Sequence, residues 1–387
     1  MKFVCERDIF QTAVGTAIKA AATGTLAQIT SAVHITARKD KTITLTCNNL
    51  EISIDYTVEA SGVSKEGTGA IPAKILGDMV RKFTADNVTV QCDDKHNFTI
   101  DCGKAHFEIN GLDPAEFALP SEIAPEYSIS VKGETLRELI RGSTFAASTS
   151  ESRVMLTGCM LERDGKFIRM VALDGYRMAM RQFALESAAT KKGGKAEKDK
   201  KISSEKTAVV IPAKALNDFS RFTSEGENDV EISVSRSHAA FEIQAETGKM
   251  RFISRVLNGE FMDYTRTLPN ENECGVTVET SALIRALERT TLVIASDQMR
   301  SPLRMNIGGD GIHMSCATIA GKAEDHVQAE ISGNPLEIGF NHRFLIEAVR
   351  NADAEKIHIQ FAGSVRPCLI QPAEGDDFKY VVLPVRL

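Results

Sequence analysis

The sequence predicts an α+β fold built three times over, each unit two helices packed on antiparallel sheets. Two observations lead there. A short motif recurs at long intervals along the 387 residues, and self-similarity of that kind marks repeated structural units. Beside each copy stand a longer amphipathic helix and several runs alternating apolar with polar residues, the pattern of half-buried strands. Helices segregated from a majority of antiparallel strands define the α+β class.

The elements follow in chain order. A helix is predicted over 7–20, then strands at Thr42–Thr46 and Ile52–Ile54. Residues 70–83 read Ala-Ile-Pro-Ala-Lys-Ile-Leu-Gly-Asp-Met-Val-Arg-Lys-Phe: a strand ending in Ile, then a short helix opened by Pro, whose missing N–H would be unsatisfied there anyway. Asp93-Asp94-Lys95-His96 between two strand-like runs reads as a hairpin turn. Phe107-x4-Leu112 followed by Glu116-Phe117 closes the unit, and the Pro-bearing stretch Pro120–Pro125 ends it.

The second unit opens with a helix over 133–147, its stripe Leu136, Leu139 and Ile140, with Arg137 and Arg141 beside it. Residues 187–206 interrupt the unit with seven lysines against three acids. Such a segment cannot bury enough surface to offset its ordering entropy, so a mobile solvated insertion is expected, with transient contact to a polyanion as the alternative. Val-Ile-Pro-Ala-Lys-Ala-Leu-Asn-Asp-Phe-Ser-Arg-Phe at 210–222 is the second copy of the motif. A strand at Val230–Val234 and Phe252-x4-Leu257 with Glu260-Phe261 repeat the earlier offsets. The third unit has a helix over 280–294 with stripe Leu283, Leu287 and Ile294, and a fainter copy of the motif over 339–350. The register aligns Lys74, Lys214 and Arg343; Leu76, Leu216 and Leu345; Asp78, Asp218 and Glu347; Arg81, Arg221 and Arg350. The units are therefore 1–125, 126–269 and 270–387.

Composition narrows the function. Hydrophobic residues make up 43% and charged residues 25%, ordinary for a globular chain. No apolar run approaches the ~20 residues a bilayer-spanning helix needs. The start, Met1-Lys2-Phe3-Val4, has no apolar export segment, so a cytoplasmic protein without membrane contact is expected. Eight scattered cysteines without a Cys-x-x-Cys pair then read as reduced core thiols. Forty-six basic against 52 acidic residues, net −6, argue against a chain that holds nucleic acid by being basic all over. Tryptophan is absent and aromatics are 6%, which weakens any single-strand stacking platform.

Catalytic signatures are missing. Gly193-Gly194-Lys195 continues into Ala196 and lacks the phosphate-loop spacing. No dinucleotide fingerprint, His-Glu-x-x-His or nucleophile elbow occurs, and no two histidines stand at metal-ligand spacing on a predicted helix. Asp164 and Asp174 each precede glycine and read as turn residues. No cofactor or metal is expected. Three function classes stay open on the residues alone: a non-catalytic DNA-tracking scaffold, an enzyme using scattered groups such as Asp93, His96 and Asp174, or a repeat protein that binds only proteins.

The three units, with Met1-Lys2-Phe3, the Ile-Pro-Ala-Lys motifs, Leu173-Asp174-Gly175-Tyr176-Arg177-Met178 and the ending Tyr380-Val381-Val382-Leu383-Pro384-Val385-Arg386-Leu387, resemble the sliding clamp of bacterial replicases, the β subunit of DNA polymerase III. The resemblance covers essentially the whole chain. It implies three clamp domains per chain and a ring of two head-to-tail copies around double-stranded DNA. That ring would tether the polymerase catalytic subunit, the clamp loader and repair factors without chemistry of its own. A topological link also reconciles DNA tracking with an acidic chain, since neutralising many phosphates would oppose sliding.

By match to the family, the partner-peptide cleft is Leu156, Leu173, Gly175, Tyr176, Arg177, Met178, Met262, Arg266, Val365, Val381, Val382, Leu383, Pro384, Val385, Arg386 and Leu387. Arg177, Arg266 and Arg386 are expected to fix the peptide's register. The implied DNA-facing residues are Lys74, Arg81, Arg137, Arg141, Arg153, Lys214 and Arg221, with an ordinary solvated helix face as the alternative. Phe107 and Ile109 are expected to meet Val293 and Ile294 of a second copy. The chain departs from the family at Leu173 and Met262, where Thr and Pro are common, and at 22–27, where a DNA-contacting arginine is missing.

Overall fold

The computed structural model describes residues 1–22, 28–120, 122–165, 167–185, 206–223, 228–269, 271–294 and 301–387. The departing segment at 23–27 and the lysine-rich 187–205 lie outside them; Lys206 lies inside. Among the described residues there are six α-helices, two per repeat: α1 Arg7–Ala17, α2 Ala73–Val80, α3 Gly133–Thr144, α4 Ala213–Ser220, α5 Thr280–Thr290 and α6 His342–Arg350. None is long and apolar enough to cross a membrane.

The helical stripes are where the periodicity puts them. Leu136, Leu139 and Ile140 of α3 are buried, as are Leu283 and Leu287 of α5. Ile294 is a correction: α5 stops at Thr290, and a 3-10 turn over Thr291–Val293 leaves Ile294 beyond the helix, half-buried. The cause is local. Thr290 and Thr291 donate their hydroxyls back to the carbonyls of Ala286 and Leu287, both at 2.8 Å, and a β-branched run follows. The predicted 133–147 helix likewise ends at Thr144.

The short motif helices are true copies. Pro72 and Pro212 cap α2 and α4, and Asn341 caps α6 by accepting the Arg343 N–H at 3.0 Å. Leu76, Leu216 and Leu345 are all buried. The second repeat signal is matched by an identical bridge: Leu112 N–H donates to the Ala70 carbonyl and Leu257 N–H to the Val210 carbonyl, both at 2.8 Å. The Asp93–His96 segment is a hairpin turn, the Asp93 carboxylate accepting the N–H groups of Lys95 and Asn97 at 2.9 and 2.8 Å.

The chain divides into two compact units, 1–134 with 222–256, and 135–221 with 257–387. They cut across the repeats because sheets run through the repeat seams. In the first unit, strand Gly248–Arg255 of the second repeat pairs antiparallel with Ile52–Glu59 of the first, Phe252 opposite Ile54. In the second unit, strand Phe378–Val382 of the third repeat pairs with Arg177–Ala184 of the second, Val381 opposite Met178. Each seam joins the third strand after a motif helix to the third strand after the opening helix of the preceding repeat. The corresponding strands left over, Ala105–Asn110 and Gly321–Gln328, each end a five-stranded sheet with one edge unpaired among the described residues.

Candidate functional site

The second unit carries the richest surface. Its floor is a buried cluster of Leu156, Met160, Leu173, Met178, Val210, Tyr264, Leu369 and Val381, with Met155, Leu257, Phe261 and Leu268 packed against it. Pairing of the 177–184 and 378–382 strands brings Met178 and Val381 side by side, because directly opposite residues on paired strands share a face. Met178 is 2% and Val381 1% exposed, and Leu173 and Val382 are equally sealed. Leu173, Met178 and Val381 support the surface from beneath without lining it, whereas Val382, next to Val381 along the strand, turns to the opposite face of the sheet.

Above the floor the apolar side chains stand in solvent. Tyr176 is 64% and Val365 79% exposed, with Met262, Leu383, Val385 and Leu387 also open. Exposed apolar groups gathered over an apolar floor are the signature of a recognition surface. Tyr176 stacks on Phe344 with ring centroids 6.1 Å apart, and its carbonyl accepts the Leu383 N–H at 2.9 Å. Gly175 has φ +94°, a conformation glycine adopts without strain, and a side chain there would meet the Arg153 guanidinium. Pro384 and Val385 add a short strand opposite Phe340 and Gly339.

A cavity of about 570 Å³ opens beside this surface. It is lined by Arg153, Val154, Met155, Leu156, Glu260, Phe261, Met262, Asp263 and Arg266. Only Leu156, Met262 and Arg266 of these are among the expected cleft residues. The apolar runs Val154-Met155-Leu156 and Phe261-Met262 were the available sequence signal. Arg153, expected to face DNA, instead stands in this cavity's wall, where a non-helical φ/ψ of −130°/80° breaks the 3-10 segment Glu151–Thr157.

The three arginines differ. Arg177 is engaged: Nε donates to Asp174 at 3.0 Å, a terminal nitrogen pairs with Glu347, and the guanidinium sits 4.5 Å from the Phe344 ring centre. It holds α6 to the sheet and has little left for a peptide. Arg266 pairs with Asp263 at 3.0 Å but stays open to solvent, and Arg386 is exposed. Asp174 also accepts the N–H groups of Tyr176 and Arg177 at 2.8 and 3.0 Å, a turn role.

The basic residues fall on helix faces. In the second unit Arg137, Arg141 and Arg221 border a groove of about 430 Å³ between α3 and α4, with Thr144, Asn217, Ser220 and Asn351. Arg141 pairs with Asp353 at 3.1 Å and Arg221 with Asp218 at 3.7 Å; Lys214 is exposed on α4. In the first unit Lys74 is exposed on α2, and Arg81 pairs with Asp78 at 2.5 Å. The third copy departs from this pattern, Arg350 pairing with Glu288 at 2.6 Å because Glu347 is committed to Arg177.

Phe107 and Ile109 lie half-buried on the free 105–110 edge. Its counterpart Phe252 is fully buried where the equivalent strand is paired. Val293 and Ile294 are half-buried beside the hairpin carrying the other free edge; the Thr318 hydroxyl donates to the Val293 carbonyl at 2.9 Å.

No group of three His, Cys, Asp or Glu among the described residues is arranged to hold a metal. All eight cysteines are buried and free. Burial pushes the Cys159 and Cys368 thiols up to about 12, far from a reactive thiolate.

Comparison with known proteins bears on the whole chain. Profiles of the DNA polymerase III beta subunit match in tandem: the N-terminal domain at residues 1–121, the central domain at 130–263 and the C-terminal domain at 265–386. The beta sliding clamp of Staphylococcus aureus strain N315 is 27% identical, covering 100% of this chain and 99% of that one. Among solved structures, a putative DNA polymerase III beta subunit from Eubacterium rectale superposes with TM-score 0.90 at 26% identity, covering 100% of both chains. The DNA polymerase sliding clamp of Bacillus subtilis also gives 0.90, at 25% identity, over 100% of this chain and 99% of that one.

Proposed function

The chain belongs to the DNA polymerase III β-subunit family, the sliding clamps that serve as non-catalytic processivity subunits, and from that premise we propose how it assembles and what it holds. Two copies close head-to-tail into a ring around double-stranded DNA, each contributing three domains, 1–125, 126–269 and 270–387. The observation that carries this reading is the pair of unmatched edges. Two of the three possible strand seams are made within the chain, and the strands that would form the third, 105–110 and 321–328, each keep one edge without a partner among the described residues. A heterologous contact of this kind generates a ring if its rotation closes. It also covers edges that would otherwise invite aggregation. Phe107 and Ile109 then meet Val293 and Ile294 of the second copy.

Lys74, Arg81, Arg137, Arg141, Lys214 and Arg221 face the DNA backbone, which positions without specifying sequence. The apolar surface of Tyr176, Met262, Val365 and Leu383, with the adjoining cavity, receives extended peptides from the polymerase catalytic subunit, the clamp loader and repair factors in the cytoplasm. A cleft with an apolar floor and few polar groups suits that recognition mode. Arg153 belongs to this cleft and not to the DNA face.

The test is retention. With a clamp loader and ATP present, the protein should stay on closed circular DNA and run off after linearisation, and its free mass should be near twice 42.2 kDa. Equal retention on both DNA forms would overturn the ring.

A further inference from the structure

We propose that Glu162 is a positioning residue of the peptide cleft, its buried carboxylate holding the Tyr264 hydroxyl and thereby the wall that carries Met262 and Arg266; this rests on the cleft reading above. Glu162 lies on strand Gly158–Asp164 with its side chain 2% exposed. Three donors converge on it: Arg169 at 3.0 Å, Lys206 at 3.1 Å and the Tyr264 hydroxyl at 3.3 Å. Burying a carboxylate is costly unless it is paired and fully hydrogen-bonded, and two cations and a phenol meet that demand.

The two ends of the Glu162–Tyr264 bond differ in rigidity. Glu162 is set by the sheet. Its partner Arg169 is itself fixed by the Gln182 side-chain oxygen at 2.8 Å and by Asp164 at 3.1 Å, on strands that pair in register. Tyr264 instead stands outside the sheet, at the start of the 3-10 turn Tyr264–Thr267. Immediately before it come Phe261, Met262 and Asp263, and within the turn Arg266, all walls of the 570 Å³ cavity. The turn reaches the floor as well. The Thr267 hydroxyl donates to the Tyr264 carbonyl at 2.6 Å and lies 3.1 Å from the Met178 sulfur.

The Tyr264 ring is buried in the apolar cluster, but apolar contact is non-directional and does not by itself fix where the hydroxyl end sits. The hydroxyl–carboxylate bond is directional and anchors that end to the sheet. Burial and the neighbouring Glu162 raise the phenol's pKa, so it remains protonated and able to donate at neutral pH. The sheet thus helps set the width of the cavity mouth through a side-chain contact 102 positions apart in sequence, beside the Thr267–Met178 contact.

The experiment uses the full-length dimer and a fluorescently labelled short apolar peptide from the replicative polymerase's catalytic subunit. Tyr264→Phe keeps the ring and deletes the bond. Its affinity should fall about three- to tenfold, the size of one ordinary hydrogen bond, because the bond acts on the peptide only through the wall it positions. Amide exchange should quicken over 261–268 while the strands 158–164 and 177–184 keep their protection, a split that general destabilisation would not produce. Glu162→Gln, which retains a carbonyl acceptor for the phenol, should lose less affinity than Glu162→Ala. Wild-type affinity in Tyr264→Phe, or uniform exchange across the unit, would overturn the proposal. Met262→Glu separates the two readings: if this charge at the mouth leaves binding intact, the cleft assignment itself fails, whatever Tyr264→Phe does.

Discussion

Deleting Pro384 to Leu387 tests the cleft most directly. In the structure this segment contributes a two-residue strand, Val385 opposite Gly339 and Pro384 opposite Phe340, and Leu387 packs over Gly339. Val385 and Leu387 remain 37% and 50% exposed. A fully buried aliphatic side chain contributes ~1.5–3 kcal/mol, so two partly covered ones supply roughly 2 kcal/mol. The strand pairing removed with them adds about 1 kcal/mol. Against a typical stability of ~5–15 kcal/mol the truncated chain still folds. Its dimer mass should not change, because the free edges at 105–110 and 321–328 are untouched. Peptide affinity should fall far more than stability suggests, by ~1–3 kcal/mol or roughly tenfold to over a hundredfold, since an apolar subsite of the cleft is gone. The assay is a fluorescence titration of labelled polymerase peptide, with mass and melting temperature measured on the same sample. A folded, dimeric truncation that binds peptide as well as the intact chain would refute the assignment and leave the tail a packing element.

Three other outcomes follow from the same geometry. Val293→Glu with Ile294→Glu should yield folded monomers by sedimentation, because both side chains are only half-buried within one chain; a persistent dimer would rule this interface out. Arg137→Ala with Arg221→Ala should shorten retention on circular DNA and lower the salt slope of dissociation by ~1 for each phosphate no longer neutralised. Asp55 is half-buried, and desolvation raises its carboxyl pKa despite the Thr46 hydroxyl at 2.8 Å. A folded-state pKa above the unfolded one gives stability that is present at low pH and lost as pH rises through the folded pKa. Asp55→Asn should therefore raise the melting temperature at pH 7, and the gain should shrink as pH falls into the ordinary carboxylate range. A constant gain at both pH values would show that charge burial is not the cause.

The helices and the repeats were legible in the sequence because they are set locally. A 3.6-residue apolar stripe needs only neighbours along the chain, so Leu136, Leu139 and Ile140 declare α3 without knowledge of what they pack against. The recurring Pro-Ala-Lys segment likewise marks the strand-to-helix corner of the first two repeats. Local rules also explain the overreach at Ile294, since a stripe does not reveal that Thr290 and Thr291 will bond back to the preceding turn. The cleft residues were named from resemblance to a family, and no spacing in the chain would have assembled them. Met178 meets Val381, Arg177 meets Glu347 and Glu162 meets Tyr264 only after strands and helices far apart in sequence are brought together. Which of the matched residues are sealed and which are open is equally beyond periodicity: Met178 and Tyr176 stand two positions apart, one in the core and one in solvent. Residue order was thus enough for the repeated unit, its helices and its lack of catalytic motifs. Folding in three dimensions was needed to show which strand edges are consumed at the repeat seams and which stay unpaired, because strand pairing joins backbone groups whose partners no side-chain pattern specifies.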